Sequence, residues 1–229
     1  MTYIKRFDGR KFDETREMEG KVGIVKNADG SAMFRFGDTI AIAAVYGPKD
    51  LYPRFLQNPE KGLLRCYYDM TSFSVTERKR PGPDRRSNEI SLVSEKALVP
   101  VLTLERFPNA VVDVFIEIIQ ANAGTRCAGI CAASLALADA GMDMKDLVCA
   151  VSVGFVDGKV MVDLNKEEED IDSMTDIPIA VLPRTGEISL LQLDGNLKRE
   201  NVIEAIELVK KVSKKIYEVQ KMALKERFK

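Results

Sequence analysis

The chain contains no histidine. That absence excludes Ser-His and Cys-His nucleophile pairs and every histidine metal ligand. Acid–base work must fall to Asp, Glu, Lys, Tyr or Cys. Cysteine is sparse. Cys66, Cys127, Cys131 and Cys149 form no Cys-x-x-Cys pair, so a zinc site is not expected. Cys127 and Cys131 stand one helical turn apart and read as core residues. No apolar run approaches a membrane span. The start, Met1-Thr2-Tyr3-Ile4-Lys5-Arg6, lacks the apolar stretch of a signal peptide. The expectation is an intracellular, cytoplasmic protein with no membrane contact. An excess of one charge is also missing. With 34 Lys+Arg against 35 Asp+Glu the formal net charge is −1, so any polyanion site must be a local basic patch.

What is present suffices for a folded domain. The 229 residues are 45% hydrophobic and 30% charged, a balance that supports a core without disulfide or metal staples. Alternation predicts strands over 21–26, 31–36, 63–73, 147–156 and 160–164. Buried apolar runs predict strands over 39–46, 111–119, 177–182 and 188–193. Asn27-Ala28-Asp29-Gly30 and Asp157-Gly158 mark hairpins. Helical spacing predicts helices over 87–104, with Pro100 straining the end, and over 124–141, closed by a glycine. A long amphipathic helix is expected over 196–228. The order of elements implies an α+β fold with a mixed or antiparallel sheet packed with helices. No linker divides the chain, so residues 1–229 read as a single domain.

Three segments carry chemistry. The first is Arg78-Lys79-Arg80-Pro81-Gly82-Pro83-Asp84-Arg85-Arg86, with five basic residues in nine. Its prolines make a stiff loop, and its self-repulsion would be relieved by a polyanion. Tyr67, Tyr68 and Phe73 lie nearby as stacking surfaces, about half of them core-facing by alternation. The second is Gly124-Thr125-Arg126 at a helix start. Free backbone N–H groups and a first-turn arginine suit phosphate; an arginine that merely meets a nearby carboxylate is the other reading. The third segment runs from Asp163 to Asp176 and holds seven carboxylates in fourteen residues. Most must be solvated. Asp176 enters the apolar run Ile177-Pro178-Ile179-Ala180-Val181, where a carboxyl is open to pKa perturbation, to sharing a proton or to holding Mg²⁺. A plain polar strand start is the alternative.

Taken in order, these segments resemble the RNase PH family. The matching pieces are Asp8-Gly9-Arg10-Lys11, Gly37-Asp38-Thr39 through Val45-Tyr46-Gly47-Pro48, Pro83-Asp84-Arg85-Arg86-Ser87-Asn88-Glu89-Ile90-Ser91, Gln120-Ala121-Asn122-Ala123-Gly124-Thr125-Arg126, and Asp163-Leu164-Asn165 with its acids. Within that family the likeness is greatest to the catalytic ring subunits of archaeal exosomes. The resemblance implies a ribosomal-protein-S5-domain-2-like (RNase PH-like) α+β fold. It also implies a hexameric ring shared with a related silent subunit, and RNA-binding cap subunits on one face. The implied activity is phosphorolysis of a single-stranded RNA 3′ end, with inorganic phosphate as co-substrate. By motif, Arg86 and Arg126 would bind phosphate with the amides of Gly124, Thr125 and Cys127. Asp170 and Asp176 would be the paired acids, with or without Mg²⁺ between them; Glu169 and Asp172 are the competing partners for Asp176. Arg85 and Arg54 would grip RNA. Two other readings stay open: a stand-alone phosphorolase trimming tRNA 3′ ends, and a silent RNA-binding ring subunit.

Overall fold

The computed structural model describes residues 5–171 and 174–228. Among the described residues nine strands form two sheets. The first holds β1 (Met18–Val22), β2 (Gly30–Phe36), β3 (Thr39–Asp50), β4 (Leu63–Met70) and β5 (Ala110–Gln120), in the order β1-β2-β3-β5-β4. All its neighbours are antiparallel except β4 and β5. Parallel strands need a crossover, and α1 (Arg85–Leu98) lies within it. The second sheet holds β6 (Cys149–Val156), β7 (Lys159–Val162), β8 (Thr175–Val181) and β9 (Ile188–Leu191), in the order β7-β6-β8-β9, all antiparallel. So the expected α+β architecture is present, divided into one mixed and one antiparallel sheet.

The helix α2 (Thr125–Asp139) lies between the sheets and touches strands of both. Twelve of its fifteen residues are buried, because alanine, glycine and cysteine fill most of its faces. Small side chains let the strands come close: a Cβ on Gly129 would sit 2.9 Å from Ile116 Cγ2. The helix α4 (Arg199–Arg227) closes the core with Ala205, Val209, Val212 and Ile216. One hydrophobic cluster runs through both sheets and all three long helices.

Several boundaries differ from expectation for local reasons. The first strand ends at Val22, not Lys26, because Gly23 takes a φ of +71° and Ser31 Oγ captures the Val25 N–H at 2.8 Å. The third strand continues past Gly47-Pro48 to Asp50. A bulge between Tyr46 and Lys49 takes Gly47 and Pro48 out of the ladder, and pairing resumes at Lys49 with Val111. The helix α1 ends at Leu98, short of the expected 104, and a 3₁₀ turn over Val99–Val101 absorbs Pro100.

The acidic segment folds unexpectedly. It contains a short helix, α3 (Lys166–Glu169), whose cap is Asn165 in a reciprocal capping box with Glu168. Glu168 and Asp163 are buried, not solvated. Glu168 pairs with Arg6, whose Nε and Nη2 donate to its two carboxylate oxygens at 2.8 and 2.6 Å. Arg6 also donates to the carbonyls of Val162 and Asp163. Asp163, at φ +56°, accepts from Arg16 Nε and Nη2 and from Arg10 Nη1. The N-terminal segment therefore clamps the acidic segment onto the second sheet.

Glu168→Gln should strip the buried Arg6 of its counter-charge and destabilise the protein by about 3–5 kcal/mol, read as a drop in the urea midpoint. Replacing both partners together with Met and Leu should cost much less.

Candidate functional site

Two helix starts and one strand start converge. Between β5 and α2 the chain turns through Ala123 (φ +58°) and Gly124 (φ +65°). The left-handed pair is held from both sides. Thr39 Oγ1 accepts from Asn122 N at 3.0 Å and donates to Ala123 O at 2.7 Å, and the Arg16 guanidinium donates to Asn122 O. Gly124 caps α2 with no side chain over the first amides, which leaves the N–H groups of Thr125, Arg126 and Cys127 available to an anion. Thr125 turns inward and its Oγ1 bonds Tyr68 OH at 2.9 Å. Burial pushes the Tyr68 phenol up to about 12, opposed by the positive charge of Arg86 and Arg126.

Arg126 lies over this tip with its side chain one-fifth exposed. One Nη donates to Gln192 Oε1, the other is 3.6 Å from Glu89, and Nε is buried with no acceptor among the described residues. Arg86, in the first turn of α1, is exposed and makes no ion pair among the described residues. Its charge nevertheless reaches Tyr68, Lys166, Glu169 and Asp176. Arg85 opens α1 beside it, equally exposed. Lys79 is different. It is spent on structure, bonded to Asp69 at 2.6 Å and Ser87 at 3.3 Å, so the basic loop is less free than its sequence implies.

Asp176 opens β8 opposite Gly154 of β6. Ser152 Oγ donates to its Oδ1. Backbone pairing with Asp194 sets a second acid alongside. Burial raises the Asp176 pKa above the ordinary carboxylate value; the Ser152 bond and the charges of Arg126 and Arg86 oppose this, while Asp194 adds to it. Glu169 is also raised, by burial first and by Asp176 and Asp170 in smaller part. Asp170 is more than half exposed, and Lys166 Nζ donates to it at 2.5 Å. Asp172 lies outside the described residues.

So Arg86, Arg126, Asp176 and the α2 tip share one electrostatic neighbourhood, with Arg85 at its edge and Asp170 on its rim. Arg54 does not join them. It lies beyond β3, near the Ala110 end of β5, while α2 starts beyond the Gln120 end. The eleven residues of β5 separate the two by roughly 33 Å at about 3.3 Å per residue. Cys127 is buried and burial lifts its thiol well above the usual range, so its side chain stays neutral and only its N–H can serve. Sequence reasoning missed Ser152, Gln192, Asp194 and Asn122, whose Oδ1 accepts Lys166 N at 2.8 Å and ties the anion tip to the acidic segment. Each is an ordinary polar residue in its strand or loop, and pairing across the fold gives it its place.

The metal question has a physical answer. Among the described residues no group of three or more His, Cys, Asp or Glu side chains could enclose an ion. Mg²⁺ needs no such cage when one or two carboxylates share it with substrate phosphate oxygens. The donor set fits that mode.

Family models for the 3′ exoribonuclease family match residues 14–143 (domain 1) and 146–212 (domain 2). The chain belongs to the RNase PH family. Among its relatives, the exosome complex component Rrp41 of Pyrococcus furiosus is 53% identical over 98% of this chain and 89% of that protein. The Rrp41 of Methanopyrus kandleri is 49% identical over 97% and 93%. Among solved structures, rice (Oryza sativa) Rrp46 superposes with a TM-score of 0.86 at 25% identity, over 96% of this chain and all of that one. A chain of the Archaeoglobus fulgidus exosome with RNA bound to the active site superposes at 0.79, with 23% identity, over 98% and 93%. The two sheets and the long C-terminal helix are thus an RNase PH-like fold. No helix of the described residues is long and apolar enough to cross a membrane.

The raised pKa of Asp176 has a consequence for stability. A carboxyl whose folded pKa exceeds its unfolded one favours the fold at low pH, and that contribution is lost as pH rises through the folded value. Asp176→Asn should therefore raise the melting temperature near pH 7, and the gain should shrink as pH falls through the folded pKa and be gone below the unfolded carboxylate pKa. Thermal melts across pH 3–8, a window of about that range set by ordinary carboxylate values, check the sign.

Proposed function

We propose that this protein is the catalytic subunit of an archaeal-type exosome, acting as a phosphate-dependent 3′-to-5′ exoribonuclease. The observation that supports this most is the convergence of Arg86, Arg126 and the open tip of α2 on the partly buried Asp176. The attacking phosphate and the scissile phosphodiester are both anions and repel. Two guanidinium groups and a helix N-terminus offset that repulsion and hold the reactants together. Rrp41 relatives along almost the whole chain support the exosome assignment.

In the reaction, a phosphate oxygen attacks the phosphorus of the last internucleotide bond. A P–O–P bond forms and the bond to O3′ of the preceding nucleotide breaks. The terminal nucleotide leaves as a nucleoside diphosphate. Because the acceptor is phosphate, this is group transfer and not hydrolysis. The departing O3′ needs a proton. Asp176 is suited to give it: burial favours its protonated form, and Ser152 occupies Oδ1, which leaves Oδ2 to carry the proton. Asp170, steadied by Lys166, is the second acid of the pair. Asp170 and Asp176 would be the residues to hold Mg²⁺, which would supply positive charge against the leaving oxygen. Bond energies on the two sides are similar, so excess diphosphate drives RNA tailing.

The RNA strand would pass Arg85 at the pocket mouth and Arg54 several nucleotides upstream. The partners are a related non-catalytic RNase PH-like subunit in a hexameric ring, with RNA-binding cap subunits above it, in a cytoplasmic complex.

With labelled RNA the assembled protein should release diphosphates only when phosphate is added; monophosphates made without it would refute the reaction type. Arg126→Ala should lower kcat/KM for phosphate on the order of 10²- to 10³-fold. Asp176→Asn should abolish turnover while RNA retention on a filter persists.

A further inference from the structure

Arg126 is not a bare cation awaiting an anion. Three elements meet on its guanidinium. Gln192, just past β9, accepts from one Nη through its side-chain oxygen. The amide nitrogen of the same Gln192 donates to Glu89 Oε1 at 3.1 Å. That carboxylate oxygen in turn lies 3.6 Å from the other Nη of Arg126. The three side chains close a ring across α1, α2 and the extension of β9. The ring also fixes the amide: turned over, Gln192 would set its NH₂ against the guanidinium and its oxygen against the carboxylate.

We propose that Glu89 is an internal competitor that sets how tightly Arg126 binds phosphate, with Gln192 holding both groups in register. This rests on the phosphate-binding role of Arg126 proposed above. Glu89 faces Nη2, the donor that a bidentate oxyanion would use, as an ion pair at 3.6 Å and not as a hydrogen-bonded partner. Its side chain is about half exposed, so its hold is weak and a phosphate dianion can displace it. Nε, buried with no acceptor among the described residues, is the adjacent donor that such an oxyanion would gain. Glu89 therefore shields Arg126 between turnovers and weakens retention of any phosphate-bearing group, including the diphosphate product. Gln192 remains bonded to Arg126 throughout and keeps the guanidinium aimed. Both are positioning residues rather than catalytic ones.

The test measures KM for phosphate and kcat, at saturating RNA, in the ring assembled with its partner subunits. Glu89→Gln should lower the phosphate KM about threefold, the scale of one partly exposed ion pair, and KM should shift further than kcat. Glu89→Asp, which keeps the charge but draws it back by one methylene, should lower KM in the same direction and covers the case in which the amide variant folds badly. Gln192→Leu should raise it. An unchanged or raised KM in both Glu89 variants overturns the inference. If those are neutral while Arg126→Ala still loses phosphate use, only this inference fails. If Arg126→Ala leaves the phosphate KM unchanged, the reading of the site fails and the competitor role falls with it.

Discussion

A buried guanidinium facing a buried carboxylate decides where the acids of this protein lie. Arg6 and Glu168 are removed from water, and each would carry a large desolvation penalty alone. Together, with backbone carbonyls taking the remaining Arg6 donors, they form a satisfied polar core beneath a segment whose Lys166, Glu167 and Asp170 face solvent. Arg16 repeats the device on Asp163 and then reaches across to Asn122, at the turn before α2. Two arginines from the first sixteen residues thus fasten the acidic segment and the anion tip to each other. Without them, a stretch with seven carboxylates in fourteen residues would repel itself away from the sheet.

The rest of the site follows from what α2 does. A helix nearly all buried cannot drift, so its open end is presented at a fixed place relative to both sheets. The first sheet supplies Tyr68 beneath the tip, and the second supplies Asp176 beside it. The proposed site therefore sits on the seam between the halves matched by the two family models. Neither half holds both the arginines and the acid.

Much of this was legible in the sequence because long elements advertise themselves. The period of α4, the alanine-rich α2 and the β-branched β5 each have a pattern that packing reinforces. The helix start with its first-turn arginine was also legible, but that pattern suits a phosphate and a nearby carboxylate equally, and Arg126 does stand 3.6 Å from Glu89. What could not be read depends on pairing across distance. Seven acids in fourteen residues look solvated until three arginines more than a hundred residues away claim two of them. Ser152 in its strand, and Gln192 and Asp194 just past β9, are unremarkable and acquire meaning only from register: Asp194 by bridging Asp176, Gln192 by standing alongside Pro178. The bulge in β3 and the early end of β1 were hidden for a similar reason, because a single hydroxyl or a proline-bearing irregularity alters a ladder that alternation alone would extend or stop. Arg54 marks the opposite limit: a charge pattern in a loop says nothing about which end of a sheet the loop occupies.

The four cysteines, scattered through the sequence, are all buried, and burial raises the pKa of every one. Thiols kept protonated and out of solvent are poor nucleophiles toward peroxide and electrophiles alike. Cys127 contributes an amide to the anion tip while its sulfur stays sealed beneath. The folded protein thereby offers peroxide no exposed thiol among these four.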